Sequence, residues 1–154
     1  MRLRIIVFVA MVAALVPAFA LAQPSATAAK YVIALSGKYE VPKGPATGKG
    51  TATITITGTK VCWAFTGLSG ISKETAAHIH KAPAGKAGPI VVPFGGAFKA
   101  KGCIATTAAL AKAIVAHPGA YYVNVHTVKY PAGAIRSQLN GVNKTGSSGG
   151  GNPY

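Results

Sequence analysis

The sequence predicts an all-β protein, an antiparallel β-sandwich with one short peripheral helix. From Lys30 onward, apolar and polar residues alternate in several short segments, which is the pattern of half-buried strands. Segments rich in glycine and proline separate these strands at short intervals. Only one segment has apolar residues at helical spacing, and no long internal repeat is present. Seven or eight short strands with this punctuation are typical of a sandwich.

The first half of the domain contains three predicted strands. The segment "YVIALSG" places Tyr31, Ile33 and Leu35 on one face. The segments "TATITITG" and "KVCWAFTGL" alternate in the same way and are separated by a turn at Gly58 and Thr59, so residues 51–67 are predicted to form a hairpin. The intervening segment "GKYEVPKGPATGKG" is rich in glycine and proline and is predicted to be a loop.

The second half contains shorter strands and the helix. Residues 76–80, the run "IVVPF" and residues 97–105 are predicted strands. Two last strands, "YYVNVHT" and "AIRSQL", are joined by a turn that contains proline and glycine. The helix is predicted over residues 107–116, where three apolar residues recur at helical spacing before "HPG": Leu110, Ile114 and Val115.

Residues 1–22 have the pattern of a secretory signal peptide. Arg2 and Arg4 give a positive start, an apolar run follows, and Ala-Leu-Ala before Gln23 is a small-residue cleavage site. A membrane anchor is the alternative interpretation. Because the run of about 17 apolar residues is at the short limit for a membrane span and contains Pro17, a cleaved signal is expected, with no stable membrane anchor afterwards. The protein is therefore expected to be secreted or extracytoplasmic.

The rest of the chain divides into an N-terminal linker over residues 23–29, one domain over residues 30–140 and a tail over residues 141–154. The domain is large enough for a single hydrophobic core of modest size. The tail is rich in glycine, serine and asparagine and has no apolar periodicity, so it is expected to be flexible.

The charge balance is strongly basic. Without the two arginines of the signal, 14 basic residues stand against Glu40 and Glu74, which gives a formal charge of +12, and the chain has no aspartate. Such a surface attracts polyanions, and for an exported protein these are anionic polymers or lipid head groups. Another extracellular protein is the other kind of partner expected. No nucleic-acid partner is expected, because the lysines are scattered and no nucleic-acid-binding motif accompanies them.

The two cysteines, Cys62 and Cys103, both lie in the exported part of the chain. An oxidising compartment favours a disulfide bond between them, and closing a loop of this length stabilises a fold by about 4 kcal/mol in the chain-entropy model. Two separate free thiols are the alternative.

Three histidines are candidate metal ligands. His78 and His80 flank Ile79 on a predicted strand, so their side chains share one face. His126 lies on the polar face of "YYVNVHT" and is the residue that an antiparallel sheet can place beside them, whereas His117 lies in a loop. Imidazole ligands without carboxylate or thiolate suit copper or zinc. The alternative is that His78 and His80 are surface residues that hydrogen-bond neighbouring loops.

Most enzyme classes are excluded by the inventory of side chains. With two glutamates in separate loops and no aspartate, neither a paired-carboxylate glycosidase nor a serine triad is expected, and bridged cysteines leave no thiol nucleophile. No catalytic residue is therefore assigned. Asn124 and Arg136 are possible neighbours of the histidines on adjacent strands. Arg136 is the only arginine after the signal, and two explanations account for it equally well: a site that needs a planar guanidinium with several donors, or chance.

Two segments of the chain resemble the CHRD (chordin-type) domain family, which includes exported microbial proteins. They are "AAHIHKAPAGKAGPIVVPF" and "GAYYVNVHTVKYPAGAIRSQL", and the resemblance extends over roughly residues 30–140. The resemblance implies a β-sandwich that is immunoglobulin-like or similar to copper/zinc superoxide dismutase. Where the family commonly has an acidic residue before its Ile-Arg pair, this chain has Ala134.

The dismutase likeness also limits the metal hypothesis. Those enzymes use a His-x-His strand, and their zinc site needs an aspartate that this chain lacks. A copper-only site on the three histidines stays open, and a two-metal dismutase does not. The expected function is therefore a secreted binding or interaction module with a three-histidine copper or zinc site. The alternatives are a copper-dependent redox enzyme and a structural protein that binds anionic cell-surface polymers.

Overall fold

Residues 28–142 are described by a computed structural model and form a single sheet with one α-helix and two 3-10 helices. The predicted signal peptide, most of the linker and most of the tail lie outside these residues. Within residues 28–142, no helix is long and apolar enough to cross a membrane. The strands are β1 Ala29–Ser36, β2 Lys49–Thr57, β3 Lys60–Ser69, β4 Glu74–Lys81, β5 Ile90–Pro93, β6 Lys101–Ala105, β7 Tyr121–Thr127 and β8 Ile135–Gln138. The helix, α1, is Ala108–Ala116, and the 3-10 turns are Gly37–Tyr39 and Pro118–Ala120.

The eight strands form one antiparallel sheet in the order β5-β4-β7-β8-β1-β2-β3-β6. The all-β class with one short helix is therefore confirmed. The sheet curls so that its two halves share one hydrophobic core, with residues of β1, β2 and β3 packed against residues of β4, β5 and β7. The two layers expected of a sandwich are thus halves of a continuous sheet, joined where β1 meets β8 at the pair Ser36–Arg136.

Alternation along the strands places the core residues as the sequence predicts. Ile54 of β2 lies opposite Trp63 of β3, and both are buried. The Trp63 ring stacks on Phe94 with a centroid separation of 4.3 Å, and its Nε1–H donates to the Lys99 carbonyl at 2.9 Å. The indole is therefore buried without leaving its one donor unpaired, which would cost stability. Gly58 turns the β2–β3 hairpin at a φ of 57°, a conformation that favours glycine.

The helix begins where the sequence predicts and packs Leu110 and Ile114 on the core, but not Val115. Thr107 caps it by accepting a hydrogen bond from Leu110 N at 3.2 Å. Ala111 and Ile114 are buried, whereas Val115 is 44% exposed. Val115 was expected on the apolar face and is not there, because the residue after Ile114 lies about 100° further around the helix, away from the sheet.

The cysteines form the expected disulfide bond. Cys62 of β3 and Cys103 of β6 are directly paired across adjacent antiparallel strands and are bridged. The bond closes a segment of 41 residues that includes β4 and β5. Edge strand β6 is therefore held to the sheet covalently as well as by hydrogen bonds.

The face of β4, β7 and β8 that points away from the core is covered too. We call it the polar face, and all seven residues of β7 are buried because both sides of that strand are packed. Its members are His78, His80, Tyr122, Asn124, His126, Arg136 and Gln138. The 82–89 loop crosses it, accepting hydrogen bonds from Arg136 at the Lys86 carbonyl and from Gln138 at the Ala82 carbonyl. The strand alternation correctly predicts that these side chains point away from the apolar core, but it does not predict that loops bury them.

Candidate metal centre

The three predicted histidine ligands lie together on the polar face, and we call them the histidine cluster. In the register of β4 with β7, His78 lies opposite Asn124, and His126 is diagonal to His78. The His78 ring centroid lies 5.5 Å from that of His80 and 4.8 Å from that of His126. One ring nitrogen from each residue lies within 4.8 Å of the other two. Three imidazoles are therefore within reach of one ion after small side-chain rotations.

Backbone carbonyls determine which ring nitrogen two of the histidines present. His80 Nδ1 lies 2.9 Å from the Gly88 carbonyl oxygen, and His126 Nδ1 lies 2.9 Å from the Pro131 carbonyl oxygen. A carbonyl oxygen only accepts, so both Nδ1 atoms carry hydrogen, and in the neutral rings both Nε2 atoms carry lone pairs. Metal-binding histidines are oriented in the same way, by donating the other ring N–H to a carbonyl.

His80 Nε2 is the clearest sign of a missing partner. The residue is 7% exposed, and this nitrogen is buried without a hydrogen bond. A buried lone pair without a hydrogen-bond partner costs stability. An ion bound at the histidine cluster would satisfy this lone pair. Three imidazole donors suit copper or zinc.

All three histidines are held neutral near pH 7. Burial lowers the pKa of His78 to about 4, with a smaller contribution from the neighbouring His126 and His80. Burial also lowers the pKa of His80 and of His126, although their hydrogen bonds to Gly88 and Pro131 act in the opposite direction. Metal ions bind only the deprotonated ring, so the cluster is ready to bind without first losing a proton to solvent.

His78 and His126 are already in contact. His78 Nδ1 lies 3.0 Å from His126 Nε2. Because His126 Nε2 carries a lone pair, His78 Nδ1–H donates to it. For both residues to hold an ion, His78 would carry its proton on Nε2, which would leave Nδ1 to coordinate beside His126 Nε2.

The His80 ring stacks on the ring of Tyr122, which is also in contact with Arg136. The Tyr122 ring lies parallel to the His80 ring at 4.7 Å, and the Arg136 guanidinium lies 3.9 Å from the centre of the Tyr122 ring on the polar face. Arg136 is 1% exposed, and its Nη1 donates to the Lys86 carbonyl at 2.9 Å. The Tyr122 hydroxyl accepts from Gly88 N–H at 3.3 Å. Gly88 is therefore held at both its N–H and its carbonyl, by Tyr122 and by His80.

Glu40 belongs to the same network, and the sequence analysis missed it. The sequence predicts a loop carboxylate, but the residue is 4% exposed and packs on Gly133, where no side chain blocks it. Burial raises the pKa of Glu40 to about 7, and the Arg136 charge and a hydrogen bond from Asn124 partly offset this. Position 134 holds a buried alanine, so the carboxylate beside Arg136 comes from Glu40 instead. The one sequence feature that could have pointed to Glu40 as a site residue is that it is one of only two acidic residues in the chain.

Asn124 connects Glu40 to the histidine cluster. Its Oδ1 lies 3.1 Å from His126 Nε2, and the residue is 1% exposed. The fourth histidine of the chain, His117, is exposed at the end of α1 and takes no part in the cluster.

The comparisons with known proteins identify the family. The model of the CHRD domain family matches residues 31–139, more than two thirds of the chain. No curated protein and no solved structure matches it. A CHRD domain with a disulfide bond fits an extracellular location and an interaction module. Apart from the first two residues of β1, the described sheet, helix and disulfide fall within the matched segment, and the chain belongs to the CHRD domain family.

Proposed function

We propose that this protein is a secreted interaction module that binds one copper or zinc ion on His78, His80 and His126. The observation that carries the proposal is the orientation of His80, whose Nδ1–H is fixed on the Gly88 carbonyl while its buried Nε2 has no partner. A histidine that merely bonded a neighbouring loop would not need the second nitrogen buried and unpaired. The ion, when bound, would supply positive charge next to the half-buried His78.

The test is calorimetric titration of Cu(II) and of Zn(II) into metal-stripped protein. Wild-type protein is expected to bind one ion per chain with submicromolar affinity. The His78→Ala/His80→Ala double variant is expected to lose this binding. A His117→Ala variant is the matched control, because that histidine is exposed and outside the histidine cluster. Equal binding by wild type and the double variant would show that the histidine cluster is structural.

The basic surface supports a second candidate function, the binding of anionic cell-surface polymers. All twelve lysines between residues 28 and 142 are exposed. The two carboxylates in this range do not balance them, because Glu40 is buried and Glu74 is partly buried. Binding to a polyanion such as alginate is expected to weaken steeply with added salt and to be unchanged by EDTA. Binding that does not respond to salt would exclude this function.

A further inference from the structure

We propose that Asn124 is a fourth ligand of the ion and that Glu40 is the positioning residue that aims its oxygen. This inference rests on the proposed metal site and deepens it, because the fourth donor determines which ions the site accepts. It makes the site selective for divalent copper or zinc over cuprous copper.

The sheet places Asn124 between the two groups. In one row of paired residues, Asn124 of β7 has His78 of β4 on one side and Arg136 of β8 on the other. Glu40 approaches from the Arg136 side, where it packs on Gly133. The Asn124 amide therefore has the histidine cluster at one side and a buried carboxylate at the other.

The carboxylate determines which way the amide points. The hydrogen bond between Asn124 and Glu40 lowers the pKa of Glu40, as a donor to a carboxylate does, so Asn124 Nδ2–H donates to the carboxylate. Asn124 Oδ1 is then directed at the histidines, 3.1 Å from His126 Nε2. This arrangement resembles the way in which carboxylates orient metal-bound side chains through the ligand's own N–H.

Two acceptors consequently face each other without a hydrogen between them. His126 Nε2 carries a lone pair because its Nδ1–H is bound to the Pro131 carbonyl, and Asn124 Oδ1 carries lone pairs as well. The Asn124 side chain also lies within hydrogen-bonding reach of His80 and raises the pKa of that histidine, although no contact of the buried His80 Nε2 has full hydrogen-bond geometry. Lone pairs of Asn124 Oδ1 and His80 Nε2 thus converge beside His126 Nε2, whose own lone pair accepts only the His78 Nδ1–H. A cation in the place of that hydrogen would satisfy all three atoms.

The donor set selects the ion. Three imidazole nitrogens and an amide oxygen suit Zn(II) or Cu(II), whereas Cu(I) is favoured by thiolate and thioether ligands. Both cysteines are bridged, and the two methionines, Met1 and Met11, lie outside the described residues. No soft donor from residues 28–142 is therefore available at the cluster.

The test compares Zn(II) affinity and the visible spectrum of the Co(II)-loaded full chain across a cycle of variants. Asn124→Leu is expected to weaken Zn(II) binding by at least a hundredfold and to change the Co(II) absorption bands, which report the number and type of ligands. Glu40→Gln is expected to weaken it about 10- to 100-fold, the range for residues that orient a ligand. His117→Ala is again the control.

Asn124→Asp provides the decisive arm, because a carboxylate has two equivalent oxygens and needs no neighbour to choose between them. Asn124→Asp is expected to keep Zn(II) binding, and adding Glu40→Gln to it is expected to cost no more than about threefold. This arm remains informative if Asn124→Leu fails to fold. Wild-type protein is also expected to bind Cu(II) while leaving Cu(I) with a competing chelator.

The outcomes separate this inference from the metal site itself. If wild type binds Zn(II) but Asn124→Leu binds it within threefold with an unchanged Co(II) spectrum, Asn124 is not a ligand. If Glu40→Gln costs as much in the Asn124→Asp background as in wild type, Glu40 does not act through the amide. If wild type binds neither ion, the proposed metal site is wrong and this assignment with it.

Discussion

Replacing Gly88 by alanine is expected to weaken metal binding from a position that holds no ligand. An added Cβ would lie 2.1 Å from the Lys81 carbonyl oxygen and 2.8 Å from the Ala82 Cβ, where ordinary contacts begin at 3.4 Å. The backbone at Gly88 must therefore move by about 1 Å to reach an allowed contact. A shift of this size is enough to break the 2.9 Å hydrogen bond that fixes His80 Nδ1.

The expected magnitudes follow from that one hydrogen bond. Leaving a buried N–H without its acceptor costs about 1–3 kcal/mol of unfolding free energy. Removing the group that orients a metal-bound histidine typically weakens metal affinity about 10- to 100-fold. Zn(II) affinity is measured by competition with a chromophoric chelator. The free energy of unfolding is measured by guanidinium titration in EDTA, so that the two effects are obtained separately.

Gly96→Ala is the matched control. Gly96 is a loop glycine too, but it is exposed, and a Cβ there would meet nothing within 4 Å. We expect its stability to change by less than about 0.5 kcal/mol and its Zn(II) affinity not at all. The reasoning is refuted if Gly88→Ala binds Zn(II) within threefold of Gly96→Ala, since the Gly88 carbonyl would then have no part in orienting His80.

Three other perturbations test the rest of the structure. Replacing Cys62 and Cys103 by alanine is expected to lower the unfolding free energy by about 4 kcal/mol, the loop-entropy value for the 41-residue separation; a loss below about 1 kcal/mol in guanidinium titrations would contradict it. Between pH 6.5 and 4, the unfolded chain binds a proton at residue 78 that the folded chain does not bind. The stability of the metal-free protein is therefore expected to fall as the pH is lowered through this range, and to fall less in His78→Ala. Arg136→Met removes the charge that lowers the pKa of Glu40, so its destabilisation is expected to be larger at pH 8 than at pH 5, and equal losses in urea titrations at the two values would disprove the coupling.

The sequence alone predicts most of the strands and the sheet face on which the three histidines lie. Alternation has a period of two, so the spacing of His78 from His80 already placed both on one face, and the same count placed His126 on the polar face of its strand. Strand order was not predictable in this way. It depends on which apolar faces pack together, and nothing in the local spacing states that β4 pairs with β7.

Local sequence patterns also could not predict that loops cover the polar face. A strand with polar residues on one side normally exposes that side to water, yet Asn124 and Arg136 are each 1% exposed. The cover comes from loops whose path depends on long-range contacts, such as the one between Arg136 and the Lys86 carbonyl, 50 residues apart. Glu40 was missed for the same reason, because its partners lie far along the chain and its own segment has the composition of a surface loop.

Both outer strands of the sheet are poor templates for another chain. Strand β5 has four residues and ends in Pro93, which has no N–H to offer a neighbour. Strand β6 has five residues, begins with a lysine and is tied to β3 by the disulfide. An open sheet of eight strands would otherwise present two long rows of unpaired backbone groups. Short, interrupted or charged margins of this kind protect a β-protein from intermolecular strand addition, so this fold has a built-in defence against fibrous aggregation.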